Sequence, residues 1–331
     1  MSEVPHPRDS FALTGMEKPD QAVVEALSRG RMHHAWLITG PEGVGKASFA
    51  YRVARRLLGA APDPEQGPLA SKQDDSVSRR VSARSHGDLM VLERATDDGK
   101  PRKNIPVDEV RALPAFFGQS PADAPYRVAI IDAADDMNVN AANAVLKTLE
   151  EPPERGVLLL VSHSPGRLLP TLRSRCRTLA IPPMDQGALA AEIDARLDLG
   201  AEDSARLAQM ARGGLGRALT LADAGALGAD DAARGLLTGL PKLDEAALLA
   251  LSDSFRGPEG AARFALVFER LNDQIHAMAV RDSEAGRGQG LDRWAQAWSI
   301  LNQLAADTEA LNLDRADALW TAVAQLRAAA A

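Results

Sequence analysis

HAWLITGPEGVGKAS, His34 to Ser48, decides how the chain begins to fold. His34 to Thr39 is a short apolar run, and beyond the glycines Phe49, Ala50, Val53, Ala54, Leu57 and Leu58 recur at helical spacing. The glycine-rich segment between them reads as a turn from strand into helix, where backbone N–H groups at the helix start can cradle phosphate. Gly40, Gly45 and Lys46 satisfy the spacing G-x-x-x-x-G-K-[S/T], with Gly43 and Gly45 permitting close approach and Lys46 adding a point charge. Ala47 stands where a hydroxyl should bind Mg²⁺. Ser48 comes one residue late, and one position on a helix turns a side chain by about 100°, so it is no replacement. The same residues also read as a turn that merely joins strand to helix.

A nucleotide site needs a second strand ending in an acid, and Arg127 to Asp132 (RVAIID) supplies it through Asp132. Active ring ATPases follow that aspartate with a glutamate that polarises the attacking water, whereas Ala133 and Ala134 come next here. Asp135 and Asp136 are expected to open the following helix, where carboxylates suit the positive dipole end. GVLLLVSHSP, Gly156 to Pro165, reads as a buried strand whose polar end, Ser162, is either a donor to a γ-phosphate or the start of a loop.

At these residues the chain resembles the bacterial clamp-loader family, AAA+ proteins that open the sliding clamp of the replicative DNA polymerase. The resemblance lies in HHAWLITGPEGVGK (His33 to Lys46), IIDAADDMN (Ile130 to Asn138), NAVLKTLEEPP (Asn143 to Pro153) and LLPTLRSRC (Leu168 to Cys176). It is strong from about Arg31 to Ile181 and fades beyond. Within the family the chain looks like the subunits that do not hydrolyse ATP, because Ala47 and Ala133 interrupt patterns that the gamma and tau ATPases keep.

The resemblance implies several things. The arginine of the SRC motif, Arg175, projects from one subunit into the ATP site of the next, a role that suits a planar, always-protonated guanidinium. Arg173 and Arg177 read as ordinary surface charge. Gly40, Gly43, Gly45, Lys46, Asp132 and Ser162 form a degenerate nucleotide site that holds ATP or ADP weakly. In GGLGRAL, Gly216 aligns with a usual sensing arginine and Arg217 falls one place later. The family's four-cysteine zinc module has no counterpart between Gly59 and His86, so no zinc and no other metal is expected. Partners are gamma/tau and delta subunits, with the sliding clamp and primed DNA reached through the complex. Cys176, the one cysteine, is expected to pack as a small hydrophobe.

The expected fold is α/β: an AAA+ P-loop domain with a five-stranded parallel sheet (1–182), a small helical lid (183–229) and an all-α collar domain (230–331). Five apolar runs, Ala35 to Ile38, Leu89 to Leu92, Val128 to Ile131, Val157 to Val161 and Thr178 to Ile181, alternate with helical patterns, which argues for a parallel sheet covered on both faces. After Pro182, Pro183 and Met184 the strand-like runs stop. Further on, Phe264, Val267, Phe268, Leu271, Ile275 and Met278 follow helical spacing, as do Trp294, Trp298, Leu301 and Leu304.

Global numbers narrow the function. A net charge of −7 disfavours strong nucleic-acid binding by the chain alone, because such binders present a basic surface. The basic run Arg79, Arg80 and Arg84 reads as a solvated face rather than a DNA contact. No apolar run approaches the roughly 20 residues of a membrane span and MSEVPHPRDS lacks a secretory core, so a cytoplasmic location is expected. The alternatives to a bracing, arginine-donating subunit are an active gamma/tau-type AAA+ ATPase, disfavoured by Ala47 and Ala133, and a DNA-binding or helicase-like AAA+ protein, disfavoured by acidity.

Overall fold

Alternation along the strands builds a sheet with two apolar faces. On β1 (Ala35–Thr39), Trp36 and Ile38 enter one buried cluster while Ala35 and Leu37 enter the other. The same division repeats on β5 (Arg127–Asp132), with Val128 and Ile130 against Ala129 and Ile131, and on β6 (Gly156–Ser162), with Val157, Leu159 and Val161 against Leu158 and Leu160. These side chains are almost wholly removed from water, each worth about 1.5–3 kcal/mol for a large aliphatic or aromatic group. Strands buried on both faces read as continuous apolar runs, which is why the sequence located them.

The structure, a computed structural model, describes residues 5–94, 96–97, 100–102, 104–257, 259–286, 288 and 290–331. α1 (Glu17–Ser28) leads into β1, and the phosphate loop opens α2 (Lys46–Leu57). Next come α3 (Ser76–Ser82), β2 (Leu89–Glu93) and a small antiparallel hairpin of β3 (Thr96–Asp97) and β4 (Lys100–Pro101) that sequence reading did not anticipate. The short helices α4 (Val107–Val110) and α5 (Leu113–Phe117) precede β5, which is followed by α6 (Val139–Glu150), β6, the four-residue α7 (Pro170–Arg173) and β7 (Arg177–Ala180). The five-stranded sheet is parallel throughout, in the order β2-β5-β6-β1-β7. All its carboxyl ends therefore point to one edge, the usual ligand crevice of an open α/β sheet. Gly40, Asp132 and Ser162 lie along that edge, at the ends of β1, β5 and β6.

α2 covers one face with Phe49, Ala50, Val53, Ala54 and Leu57, and α6 covers the other with Ala141, Val145 and Leu149. α8 (Gln186–Leu197), α9 (Ala201–Ala211) and α10 (Leu215–Asp223) follow the sheet. The chain's contacts divide it into two compact units, 1–219 and 220–331, so α8 and α9, assigned from sequence to a lid of residues 183–229, belong to the first. The second unit is wholly helical among its described residues: α11 (Ala226–Thr238), α12 (Glu245–Asp253), α13 (Gly260–Glu284), α14 (Leu291–Ala310) and α15 (Arg315–Ala330). α13 buries Phe264, Val267, Phe268, Leu271 and Ile275, with Phe255 edge-on to Phe264 at 5.3 Å between ring centres. Met278 is only half-buried. On α14 the buried positions are Ala297, Leu301 and Thr308, while Trp298 stays 40% exposed and so lies outside the unit's core.

Candidate functional site

Gly43 and Gly45 both adopt positive φ, +75° and +93°, which lets the loop after β1 turn back and start α2 with Gly45 as its N-cap residue. Lys46, the first residue of α2, is buried, and its Nζ donates to the Pro41 carbonyl at 2.5 Å. The ammonium thus closes the loop on itself. Burial brings the Lys46 pKa down to about 8 against the opposing pull of Asp132, Asp135 and Glu42. Asp132 moves the other way, up to about 6, because burial and then the charge of Glu93 disfavour its carboxylate more than Lys46 favours it. Glu93 is its register partner on β2. The structure therefore brings the predicted Lys46 and Asp132 into one electrostatic group.

Ser162, the candidate sensor, is fully buried, and its hydroxyl donates to Asp135 Oδ1 at 3.0 Å. The rest of that carboxylate is equally occupied: the backbone N–H of His163 donates to Oδ2 at 2.7 Å and that of Ser164 to Oδ1 at 3.0 Å. Asp135 was expected to open the next helix. It lies instead in a one-turn 3-10 segment, Ala134–Asp136, and ties the end of β6 to the end of β5, while Asn138 caps α6 through the Ala141 N–H at 2.9 Å. A carboxylate three residues past a strand end can reach across to the neighbouring strand, and three donors there outweigh a helix dipole.

The start of α10 meets the phosphate loop directly. Gly216 N–H donates to the Gly43 carbonyl at 2.9 Å, and a Cβ on Gly43 would lie 2.4 Å from the Arg217 nitrogen. Gly214 is similarly confined, since a Cβ there would lie 2.5 Å from the Glu42 carbonyl oxygen. Arg217, displaced from the usual arginine position, pairs with Glu42 at 3.8 Å. Sequence spacing alone could not show that these glycines serve backbone-to-backbone packing on the loop.

The residues around the loop differ from a Mg²⁺-triphosphate site at two positions, Ala47 after the lysine and Ala133 after the strand-end acid. Ala47 offers no ligand, Ser48 is buried, Ala133 offers no base, and the Lys46 amine and Ser162 hydroxyl already have partners within the chain. The positive φ glycines and the start of α2 keep the shape of a phosphate cradle.

Arg175 lies elsewhere in the unit, between α7 and β7. Its guanidinium is 37% exposed, donating through Nη1 to the Thr171 carbonyl at 2.9 Å and through Nη2 to Glu150 Oε1 at 3.1 Å. Cys176 beside it packs against the buried cluster under α6, and burial pushes its thiol up to about 12. Arg177 is exposed, in keeping with surface charge, and its guanidinium also lies over the Trp36 ring at 4.7 Å. Of the basic run, Arg80 pairs with Asp123 and Arg84 with Glu93.

A parallel sheet in this order, with a phosphate loop after β1, an acid at the end of β5 and a helical region after the sheet, defines an AAA+ P-loop protein. The family model for DNA polymerase III, delta subunit, matches residues 16–185, and the chain belongs to that family. Over 163 residues it is 40% identical to DNA polymerase III subunit delta' of Pseudomonas aeruginosa, covering 49% of this chain and 47% of that protein. Over 305 residues it is 32% identical to DNA polymerase III subunit gamma/tau of Mycobacterium bovis, covering 84% of this chain and 51% of that protein. The chain thus spans about half the length of these relatives. Among solved structures it is similar to a DNA polymerase III gamma subunit-related protein of Thermotoga maritima, with a TM-score of 0.43 and 22% identity over 92% of this chain and 98% of that one. No helix among the described residues is long and apolar enough to cross a membrane.

Proposed function

We propose that this chain is a delta-prime-like subunit of the DNA polymerase III clamp loader, bracing the complex that places the sliding clamp on primed DNA and donating Arg175 to a neighbouring ATPase subunit. Its own site holds ATP or ADP weakly and hydrolyses little or none. Gamma/tau and delta subunits are its partners, and clamp and DNA are reached through them in the cytoplasm. Family membership supports the setting, and one observation carries the division of labour. The Lys46 ammonium of the home cradle already donates to the Pro41 carbonyl, while the Arg175 guanidinium stands at the surface on a well-anchored turn.

The chemistry follows from charge. In phosphoryl transfer, negative charge spreads over the γ-phosphate oxygens, and a guanidinium can donate to two of them without changing its own protonation. An arginine finger is worth about 10³–10⁵ in turnover at the site it serves. Arg175→Ala in a reconstituted complex is therefore expected to leave assembly intact and remove one site's share of the DNA- and clamp-stimulated ATPase. Arg175→Lys is expected to fail as a substitute, because an ammonium cannot donate as a planar fork. Unchanged stimulated turnover in Arg175→Ala would rule out the finger role. Steady turnover by the isolated chain, abolished by Lys46→Ala, would favour the gamma/tau-type reading instead.

A further inference from the structure

Arg175 sits on a backbone that has little freedom. Leu172 is fully buried, Cys176 packs against the same cluster, and Arg175 and Cys176 donate their N–H groups to the carbonyls of Leu172 and Arg173 at 3.2 Å each. The side chain itself is anchored twice, at the Thr171 carbonyl and at Glu150. A guanidinium has about five N–H donors, so two anchors leave the remaining edge available to an incoming anion.

Glu150 is oddly placed for any purpose of its own helix. It is the last residue of α6, where the partial negative charge of the helix end disfavours a carboxylate, and Pro152 and Pro153 prevent the helix from carrying it further. The compensation visible in the structure is Arg175, 25 residues along the chain. The two ends of the pair come from the two motifs KTLEEPP and SRC, one at the end of α6 and one on the turn after α7, whose Cys176 packs against the buried cluster.

We propose that Glu150 is a positioning residue for the Arg175 guanidinium, holding its fork in one orientation before a neighbouring triphosphate arrives; this rests on the reading of Arg175 as a trans-acting arginine. A long side chain already ordered loses less freedom when the subunits close, so the benefit falls on the chemical step rather than on ATP binding. Thr171 alone anchors only Nη1 and leaves the plane free to rotate about that contact.

The test uses a reconstituted complex in which the site receiving Arg175 is the one able to turn over. Glu150→Ala is expected to lower kcat there by about threefold to tenfold, because an exposed ion pair is weak and misplacement of a finger is costly. KM for ATP should change by less than about twofold, since ground-state binding is not what the pair supports. Glu150→Gln, nearly isosteric and still an acceptor, should recover at least half of the loss. The Glu150→Ala/Arg175→Ala double variant should be no slower than Arg175→Ala. If Arg175→Ala is slow but Glu150→Ala matches wild type or exceeds it, the positioning role is refuted while the arginine reading stands. If the double variant is slower than Arg175→Ala, Glu150 acts by another route and the proposal again fails. If Arg175→Ala itself is unaffected, the underlying reading falls with it.

Discussion

Replacing Lys46 by methionine should stabilise this chain in the absence of any ligand, because the fold carries the cost of a buried ammonium. The amine is buried and its pKa is brought from 10.5 down to about 8 by loss of hydration. At about 1.4 kcal/mol per unit, a shift of that size means the charged form costs the fold roughly 3 kcal/mol. Removing the amine also strips the Pro41 carbonyl of its donor, a loss of about 1 kcal/mol, leaving a net gain on the order of 2 kcal/mol at pH 7. For a unit of this size that is about 4–8 °C in Tm.

The pH dependence fixes the cause. Because the folded pKa lies below the unfolded one, the penalty is complete below about pH 8 and is relieved as pH rises from about 8 to 10.5. Lys46→Met should therefore exceed wild type in stability at pH 7 and lose that advantage by pH 10. Urea denaturation of both proteins at pH 7, 8.5 and 10 measures it. A variant less stable than wild type at pH 7, or a difference that does not change with pH, would refute the argument.

Asp132→Asn should also stabilise above about pH 6 and lose its effect near pH 4, because the raised pKa means ionisation of Asp132 weakens the fold as pH rises through that range; a constant difference by chemical denaturation would contradict it, and its effect should not add to that of Lys46→Met, since the two charges interact. Asp135→Ala is expected to cost about 2–4 kcal/mol by leaving the Ser162 hydroxyl and two backbone N–H groups without their acceptor, read as a drop in denaturation midpoint; a loss under about 0.5 kcal/mol would mean those bonds contribute little. Nucleotide affinity by calorimetry should be weak and little altered by Mg²⁺, and tight, strictly Mg²⁺-dependent ATP binding would overturn the reading of Ala47. Cys176, with its thiol pushed up to about 12 by burial, should alkylate at least about tenfold more slowly in the folded chain than in urea, and equal rates would show that it is not packed as described.

The sheet was legible because β1, β5 and β6 are buried on both faces and so carry unbroken apolar runs, and the loop was legible because its glycines and lysine fall at a fixed spacing between an apolar run and a helical pattern. What stayed hidden depends on distance through space. Asp135 looked like a helix-opening acid, and only the closeness of β5 to β6 shows that it holds Ser162. Gly214 and Gly216 carried no sign that they lie against the phosphate loop. Trp298 fits a helical apolar pattern yet lies outside its unit's core, since periodicity tells which residues share a face and not how far that face is covered. Glu150 gave one clue that could have been read, an acid at the end of a helix ahead of two prolines, where the helix dipole favours a nearby cation.

The central claim is that Arg175 serves a triphosphate outside its own chain. A structure of the loader assembled on clamp and primed DNA with a transition-state mimic such as ADP with aluminium fluoride measures this directly. The account predicts the Arg175 guanidinium within about 3 Å of the mimic in an adjacent subunit, the range of a charge-assisted hydrogen bond. An Arg175 pointing into solvent, or still paired only with Glu150 and more than about 8 Å from every bound nucleotide, beyond direct contact and into the range where salt screens charge, would contradict it.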